Sequence, residues 1–442
     1  MLVWAPLLLG SNRAIFWSLN GFAGAIALLC FLASEWKTRR SSVSNWNIPL
    51  QVLLLIALPV IWMLVQIMPG LPASLLHPVW ADVPRASGRM TINPHQTEIA
   101  IMWWLTLSVV FIAVRAGTNR GKVEVFMNLM LLMVLVVAAF GLANEYFDWE
   151  TIGIERKTAY IGWLTGTFVN RNSAASFFAI GMVIATTLAL RAHATIDERF
   201  SESSRLAGTF QILNSRMSVY AGLAIVIFTA LLLTGSRAGI ASALLGTFLV
   251  ICLAPKLRQR NSLFIPAIAG LSLIAISMNA LLERAHTAPE SSLVRINLYR
   301  EAINAILDRP FIGHGGGTYQ SVEPLYHLPE TSSEFIWNHA HSSYLEAAVG
   351  LGLPVTLMWL ALAGALVFKV YRANKLAQRL LPATVATIAI FVAEGLHALV
   401  DFSLQVQAVA LYLACLLGLS IGEVMASAVS YAPTNQMGTN NL

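Results

Sequence analysis

The sequence predicts an all-α polytopic membrane protein of about 11–12 transmembrane helices, with a long outer (periplasmic) loop bearing short helices. Three observations predict it. Of 442 residues, 57% are hydrophobic and only 11% are Asp, Glu, Lys or Arg, less than half the roughly 25% that a soluble domain carries. Mean hydropathy is +0.68. Apolar runs of roughly 17–25 residues, the length that crosses a bilayer, recur along the whole chain and alternate with basic connections.

Eleven runs meet that length: residues 15–33, 48–69, 99–115, 123–142, 174–191, 217–234, 238–254, 263–281, 344–368, 382–400 and 404–424. Residues 2–9 are too short to cross about 30 Å of hydrocarbon and read as the tail of a twelfth span or a short first helix. Seventeen of the 28 basic residues fall on alternate connections, against five acidic ones. The positive-inside rule makes those connections cytoplasmic. The chain therefore divides into helices over 1–281 with outer loops 70–98 and 143–173, a long outer segment 282–343, further helices over 344–424, and a cytoplasmic tail 425–442. The net charge of +6 reports this topology and gives no sign of a nucleic-acid partner. Cys30, Cys252 and Cys415 lie in apolar runs without CxxC spacing, which removes the usual disulfide and zinc patterns.

Function is expected on the outer side, where eight of the nine histidines fall. In Thr234-Gly235-Ser236-Arg237-Ala238-Gly239, Arg237 sits at the membrane edge between two apolar helices. It is either a snorkelling helix-end arginine or an arginine that binds an anion. Asn170-Arg171-Asn172 places another arginine just before an apolar run, where Asn172 or Ser173 is expected to cap a helix with outward N–H groups. Residues 292–306 have the apolar spacing of an amphipathic helix, which carries Arg295 and Arg300 and stops before Pro310. Gly313-His314-Gly315-Gly316-Gly317-Thr318 lacks the Gly-Lys-Ser/Thr of a nucleotide loop and reads as a turn that brings backbone close to a ligand or another helix.

Asn338-His339-Ala340-His341-Ser342 enters the helix that starts near Tyr344. Two histidines are half a zinc site at most, since zinc takes three or four ligands. A histidine near its ordinary pKa of about 6.5 suits a general base. Asp148 and Glu150 flank Trp149 in the manner of an acidic metal-binding pair. His397 and Asp401, at the outer end of the tenth span, either orient a partner side chain or hydrate a turn.

Arginine grips phosphate oxygens bidentately and keeps its charge, and the natural phosphate ligand at a membrane edge is a lipid-linked diphosphate. If that diphosphate is the leaving group from a sugar, arginines stabilise the charge that develops while a histidine deprotonates the attacking hydroxyl. A lipid-linked glycan transporter is the alternative. It calls for polar groups at mid-membrane, whereas here the ionisable groups gather at the outer edge. A non-catalytic subunit that binds lipid carriers is a third reading.

The motifs GTFVNRN (166–172), TGSRAG (234–239), RINLYREAI (295–303) leading to DRPFIGHGGGTY (308–319), HAHSSYLEAAVGLGLPV (339–355) and HALVDFSLQV (397–406) together resemble the O-antigen ligase and polymerase superfamily of bacterial membrane glycosyltransferases. The resemblance implies a multi-pass protein of the bacterial inner membrane whose active site faces the periplasm. It implies transfer of a glycan from an undecaprenyl-diphosphate carrier, without metal or cofactor and with inversion. The acceptor would be lipid A-core for a ligase, or a second lipid-linked repeat unit for a polymerase. The family pattern of His, then Asn/Ser/Gln, then Gly ten positions on fits His341-Ser342 with Gly352. His341 is thereby the implied base, with essential arginines at Arg237 and at Arg295 or Arg300. Asn170, Arg171, His339, His397 and Asp401 are expected to bind substrate.

Overall fold

The computed structural model describes residues 1–38, 50–83, 88–118, 120–197, 216–254, 289–332, 336–377 and 380–429. Thirteen α-helices and one short hairpin are described. They are α1 (Ala14–Thr38), α2 (Leu50–Ile67), α3 (Pro94–Gly117), α4 (Arg120–Tyr146), the hairpin β1 (Thr151–Ile152) and β2 (Glu155–Arg156), α5 (Arg171–Asp197), α6 (Arg216–Leu233), α7 (Arg237–Leu253), α8 (Pro289–Asp308), α9 (Tyr319–Tyr326), α10 (Ser343–Leu351), α11 (Leu353–Leu376), α12 (Pro382–His397) and α13 (Gln407–Val429). Seven of these, α2 to α6 with α11 and α13, are long and apolar enough to cross a membrane, and α1, α7 and α12 contain shorter apolar stretches. The protein is an all-α polytopic membrane protein, as its composition predicts. The expected span at 263–281, the basic runs at 39–40, 199–205 and 256–260, and the tail after 429 lie outside the described residues.

Helix α5 is the hub, packed against α4, α6, α7 and α12. Without a hydrophobic drive between helices in lipid, small residues allow close packing, and α5 meets its neighbours through them. A Cβ on Gly246 of α7 would stand 2.6 Å from Val183 Cγ2 of α5, and one on Gly239 would overlap Ala175. The aromatic Phe177 of α5 meets Tyr412 of α13 edge-on at 4.8 Å, and both are fully buried.

Three local expectations are corrected. Residues 2–8 form turns rather than a helix tail, followed by a 3-10 turn at Leu9–Ser11; isolated i to i+4 bonds, Ala5 N to Met1 O and Leu8 N to Trp4 O, both at 3.0 Å, do not propagate into a helix, and Leu2, Ala5 and Leu9 are buried in the bundle. The expected single span 344–368 is two helices, α10 and α11, broken at Gly352 with φ +79° and ψ 160°. The cause is Pro354, whose missing N–H and ring do not allow it to continue a helix begun at Ser343. The cap of α5 is Asn170, not Asn172 or Ser173: Asn170 Oδ1 accepts from Asn172 N at 2.7 Å.

The glycine turn at 313–317 packs against that helix break. His314 N donates to Val349 O at 2.9 Å and Gly315 N to Gly350 O at 3.0 Å. Gln66, at the end of α2, donates to the carbonyls of Ile312 and Gly350 and accepts from Gly316 N at 3.0 Å. Arg309 closes the far side by donating to the carbonyls of Gly313, Leu76 and Leu75. His77 Nε2 lies 2.9 Å from His314 Nδ1; burial, with His314 and Arg309 adding to it, holds His77 down to about 4. The turn therefore brings backbone against another helix. At Gly313, φ is +69° and a Cβ would stand 2.6 Å from Gly352 N and closer still to Gly350 O. Gly313→Ala should cost about 2 kcal/mol or more. Gly364→Ala, on a helix where nothing lies within 4 Å of the added Cβ, should be neutral or slightly stabilising. Thermal melts in detergent compare the two.

Candidate active site

Several chain segments meet where α5 and α7 begin and α12 ends. Ser236 caps α7 by accepting from Gly239 N at 3.3 Å, which makes Arg237 the first helical residue. Arg171 holds the same position on α5, and both helices thus point their N-terminal dipoles and an arginine at the same region. The Arg171 guanidinium lies over the Trp163 ring at 4.3 Å and near the Tyr160 ring at 5.8 Å. A side chain on Gly235 would overlap that same Trp163 ring. Aromatic faces hold a cation without neutralising it, so Arg171 keeps its full charge for a ligand.

From α8 comes Arg295. Its charge acts on Arg171, Tyr160, Tyr299 and His341, and that of Arg237 acts on Arg171. Arg300 is exposed, about 140° further round α8 than Arg295 at 100° per residue. The structure brings Arg171, Arg237 and Arg295 into one field and leaves Arg300 at the surface.

Asp401 is the counterweight, almost fully buried. Its Oδ1 accepts from Asn172 Nδ2 at 2.9 Å, its Oδ2 from Ser403 N at 2.8 Å, and its main-chain carbonyl from Ser343 N at 3.1 Å. It thereby ties α5 to the start of α10. His397 is buried one turn earlier, with Nδ1 2.9 Å from Ser176 Oγ and 3.5 Å from Glu394 Oε2. Glu394 in turn accepts from Ser242 of α7 at 2.7 Å, and His397 Nε2 has no hydrogen-bond partner among the described residues. Asn170, beyond capping α5, donates to the Tyr160 hydroxyl at 2.9 Å.

The two neighbouring histidines differ. His339 is engaged: its Nδ1 lies 3.1 Å from Glu346 Oε1, and its ring stacks on Phe402 at 4.2 Å. His341 takes the left-handed conformation at φ +52°, uncommon for a residue other than glycine. Its carbonyl accepts from Tyr299 OH at 3.1 Å, its ring meets Phe402 edge-on at 5.1 Å, and its Nδ1 is buried without a partner among the described residues. Burial and then Arg295 push the His341 imidazole down to about 4, against the opposing pull of Asp401. It is neutral at physiological pH and able to accept a proton. Tyr160 and Tyr299 are pushed up, chiefly by burial, and remain hydroxyl donors.

Glu150 and Asp148 are not drawn into this cluster. Glu150 pairs with Lys157 at 3.0 Å and accepts from Gly162 N at 2.8 Å, while Asp148 is exposed. Sequence reasoning gave no role in this cluster to Tyr160, Trp163, Ser176 or Glu394; Tyr299 and Phe402 fell inside the family-like motifs without a role, and Asn172 was read only as a helix cap.

Residues 221–360, about a third of the chain, match the family described as Wzy_C, O-antigen ligase. This match supports a relationship of the segment to the O-antigen ligase/polymerase superfamily. No curated protein matches it. The matched segment contains Arg237, Arg295, Arg300, His339 and His341, while Asn170, Arg171, His397 and Asp401 lie outside it. The match supports a glycosyltransferase-like role in O-antigen or polysaccharide assembly.

Proposed function

We propose that this protein transfers a glycan from an undecaprenyl-diphosphate carrier to an acceptor hydroxyl on the periplasmic side of the bacterial inner membrane. The observation that carries the reading is the shared field of Arg171, Arg237 and Arg295 beside a neutral, unpartnered His341. The three arginines outweigh Asp401, and a diphosphate diester, with one negative charge on each phosphate, matches the excess.

In this reading the acceptor oxygen attacks the anomeric carbon from the face opposite the diphosphate, and the configuration inverts. The carbon–oxygen bond to the diphosphate breaks, and its electron pair leaves on undecaprenyl diphosphate. Arg237 and Arg295 stabilise that charge as it grows, a role worth about 10²–10³-fold per donor in comparable sites, while Arg171 holds the ground-state diphosphate. The proton of the attacking hydroxyl passes to His341. The bound diphosphate offsets Arg295, so His341 becomes a stronger base when the donor is in place. His397 and Asp401 position the loop between α12 and α13, and His339 is fixed by Glu346. No metal takes part in the transfer.

Purified protein supplied with undecaprenyl-diphosphate glycan, and separately with lipid A-core or a second lipid-linked repeat unit, tests this. Transfer to lipid A-core identifies a ligase, and elongated lipid-linked chains identify a polymerase. Either product should form in EDTA at 25 °C. Substrate that changes sides in vesicles without a new glycosidic bond would overturn the proposal.

A further inference from the structure

On the other side of α8 from Arg295, a second group of ionisable side chains converges, which the transfer chemistry does not use. Glu301 of α8, Glu323 of α9 and His327 just after α9 place one ligand-type atom each within 4.8 Å of the others. Glu301 is 1% exposed and Glu323 6%.

Their protons and lone pairs do not balance. His327 Nε2 lies 3.1 Å from the Thr331 carbonyl, which only accepts, so Nε2 carries a proton. A neutral ring then turns the lone pair of Nδ1 toward Glu323 Oε1, 2.5 Å away, where another lone pair stands. Glu301 Oε1 is satisfied by Leu328 N at 2.8 Å and Thr331 Oγ1 at 2.6 Å. Its second oxygen, Oε2, is buried and has no hydrogen-bond partner among the described residues. The buried Tyr319 hydroxyl, one turn before Glu323, is also without a partner among them and stands in the field of Glu346, Glu301 and Glu323. An imidazolium would satisfy the contact to Glu323, yet it leaves two buried carboxylates against one positive charge and Glu301 Oε2 still bare. A divalent cation balances two carboxylates and a neutral imidazole.

We propose that Glu301, Glu323 and His327 bind a divalent transition-metal ion, with Zn²⁺ the best fit, that pins α8 to α9. One imidazole with carboxylates is a zinc or manganese set, whereas calcium takes oxygen ligands throughout. Ligands that share one zinc stand roughly 3–3.5 Å apart. The ion therefore draws in Glu301, whose Oε1 is 4.0 Å from His327 Nδ1, and opens the His327–Glu323 contact. His327 is 26% exposed at its side chain, which provides the entry path and a water for the fourth position. The ion is structural, and it steadies the helix that carries Arg295.

The test uses tag-free, full-length protein in detergent, treated with EDTA, freed of it, and titrated with Zn²⁺ by calorimetry. One Zn²⁺ per chain should bind with a micromolar or tighter Kd and raise the melting temperature. Glu301→Gln, Glu323→Gln and His327→Gln should each weaken binding by about tenfold or more and abolish the thermal shift, while His339→Gln should leave both intact. Size-exclusion profiles establish that each variant is folded. If Glu301→Gln does not fold, the more exposed His327→Gln decides. Absence of stoichiometric binding, or unchanged affinity in the variants, would overturn the proposal.

Discussion

His341→Ala should lower kcat for glycan transfer by about 10²–10⁴-fold, the range of general-base contributions, with the protein still folded in the membrane and the donor still bound. The reason is local. His339, two residues away, is committed to Glu346 and Phe402, so it does not substitute, and His339→Ala should cost much less. The pH dependence carries the sharper signature. Burial and Arg295 hold the His341 imidazole down to about 4 in the free protein, and the neutral form is the competent one. On that ground kcat/KM, which reports the free enzyme, should rise with pH up to about 4 and stay flat from there through neutrality. An unperturbed histidine would instead give a rise centred near 6.5. Full transfer activity in His341→Ala would remove it from the mechanism.

Arg295→Ala and Arg237→Ala should each reduce kcat/KM by about 10²-fold or more, because each removes a fixed positive charge from the place where leaving-group charge develops. Arg300→Ala should stay within about threefold of the parent. Lysine should rescue neither Arg237 nor Arg295 fully, since an ammonium lacks the planar fork that binds two phosphate oxygens at once. Arg171→Ala should raise KM for the donor more than it lowers kcat, as expected for a contact made equally in the ground and transition states. Steady-state kinetics with a fixed acceptor separate these outcomes. An Arg300 variant as impaired as the Arg295 variant would reverse the choice between them.

Those two arginines show where sequence reading stops. Both lie in one amphipathic stretch, five residues apart, and the one-dimensional pattern treats them alike. Only the packing of α8 onto the bundle turns Arg295 toward Tyr160, Tyr299 and His341 and leaves Arg300 in solvent. Tyr160 and Glu394 were invisible for the same reason: a tyrosine in a loop and a glutamate in a span become informative once their neighbours are known. The break at Gly352 could have been read from Pro354, since a proline imposes its constraint locally; a hydropathy average hides it. Of the trio Glu301, Glu323 and His327, the last two share the i, i+4 spacing of one helical face, whereas Glu301 joins them only because α8 and α9 pack together.

What the sequence determined by itself was the solvent and the class of fold. Scarce charge and repeated spans of apolar residues leave helices in lipid as the answer, because a bilayer satisfies no backbone hydrogen bond. It also determined which chemistry-bearing residues collect near span ends, since charge is expensive at mid-membrane. Tertiary structure decided which of them meet. Electrostatic work depends on distances of a few ångströms between groups as far apart in the chain as Arg171 and Asp401, and only close packing around α5 sets those distances.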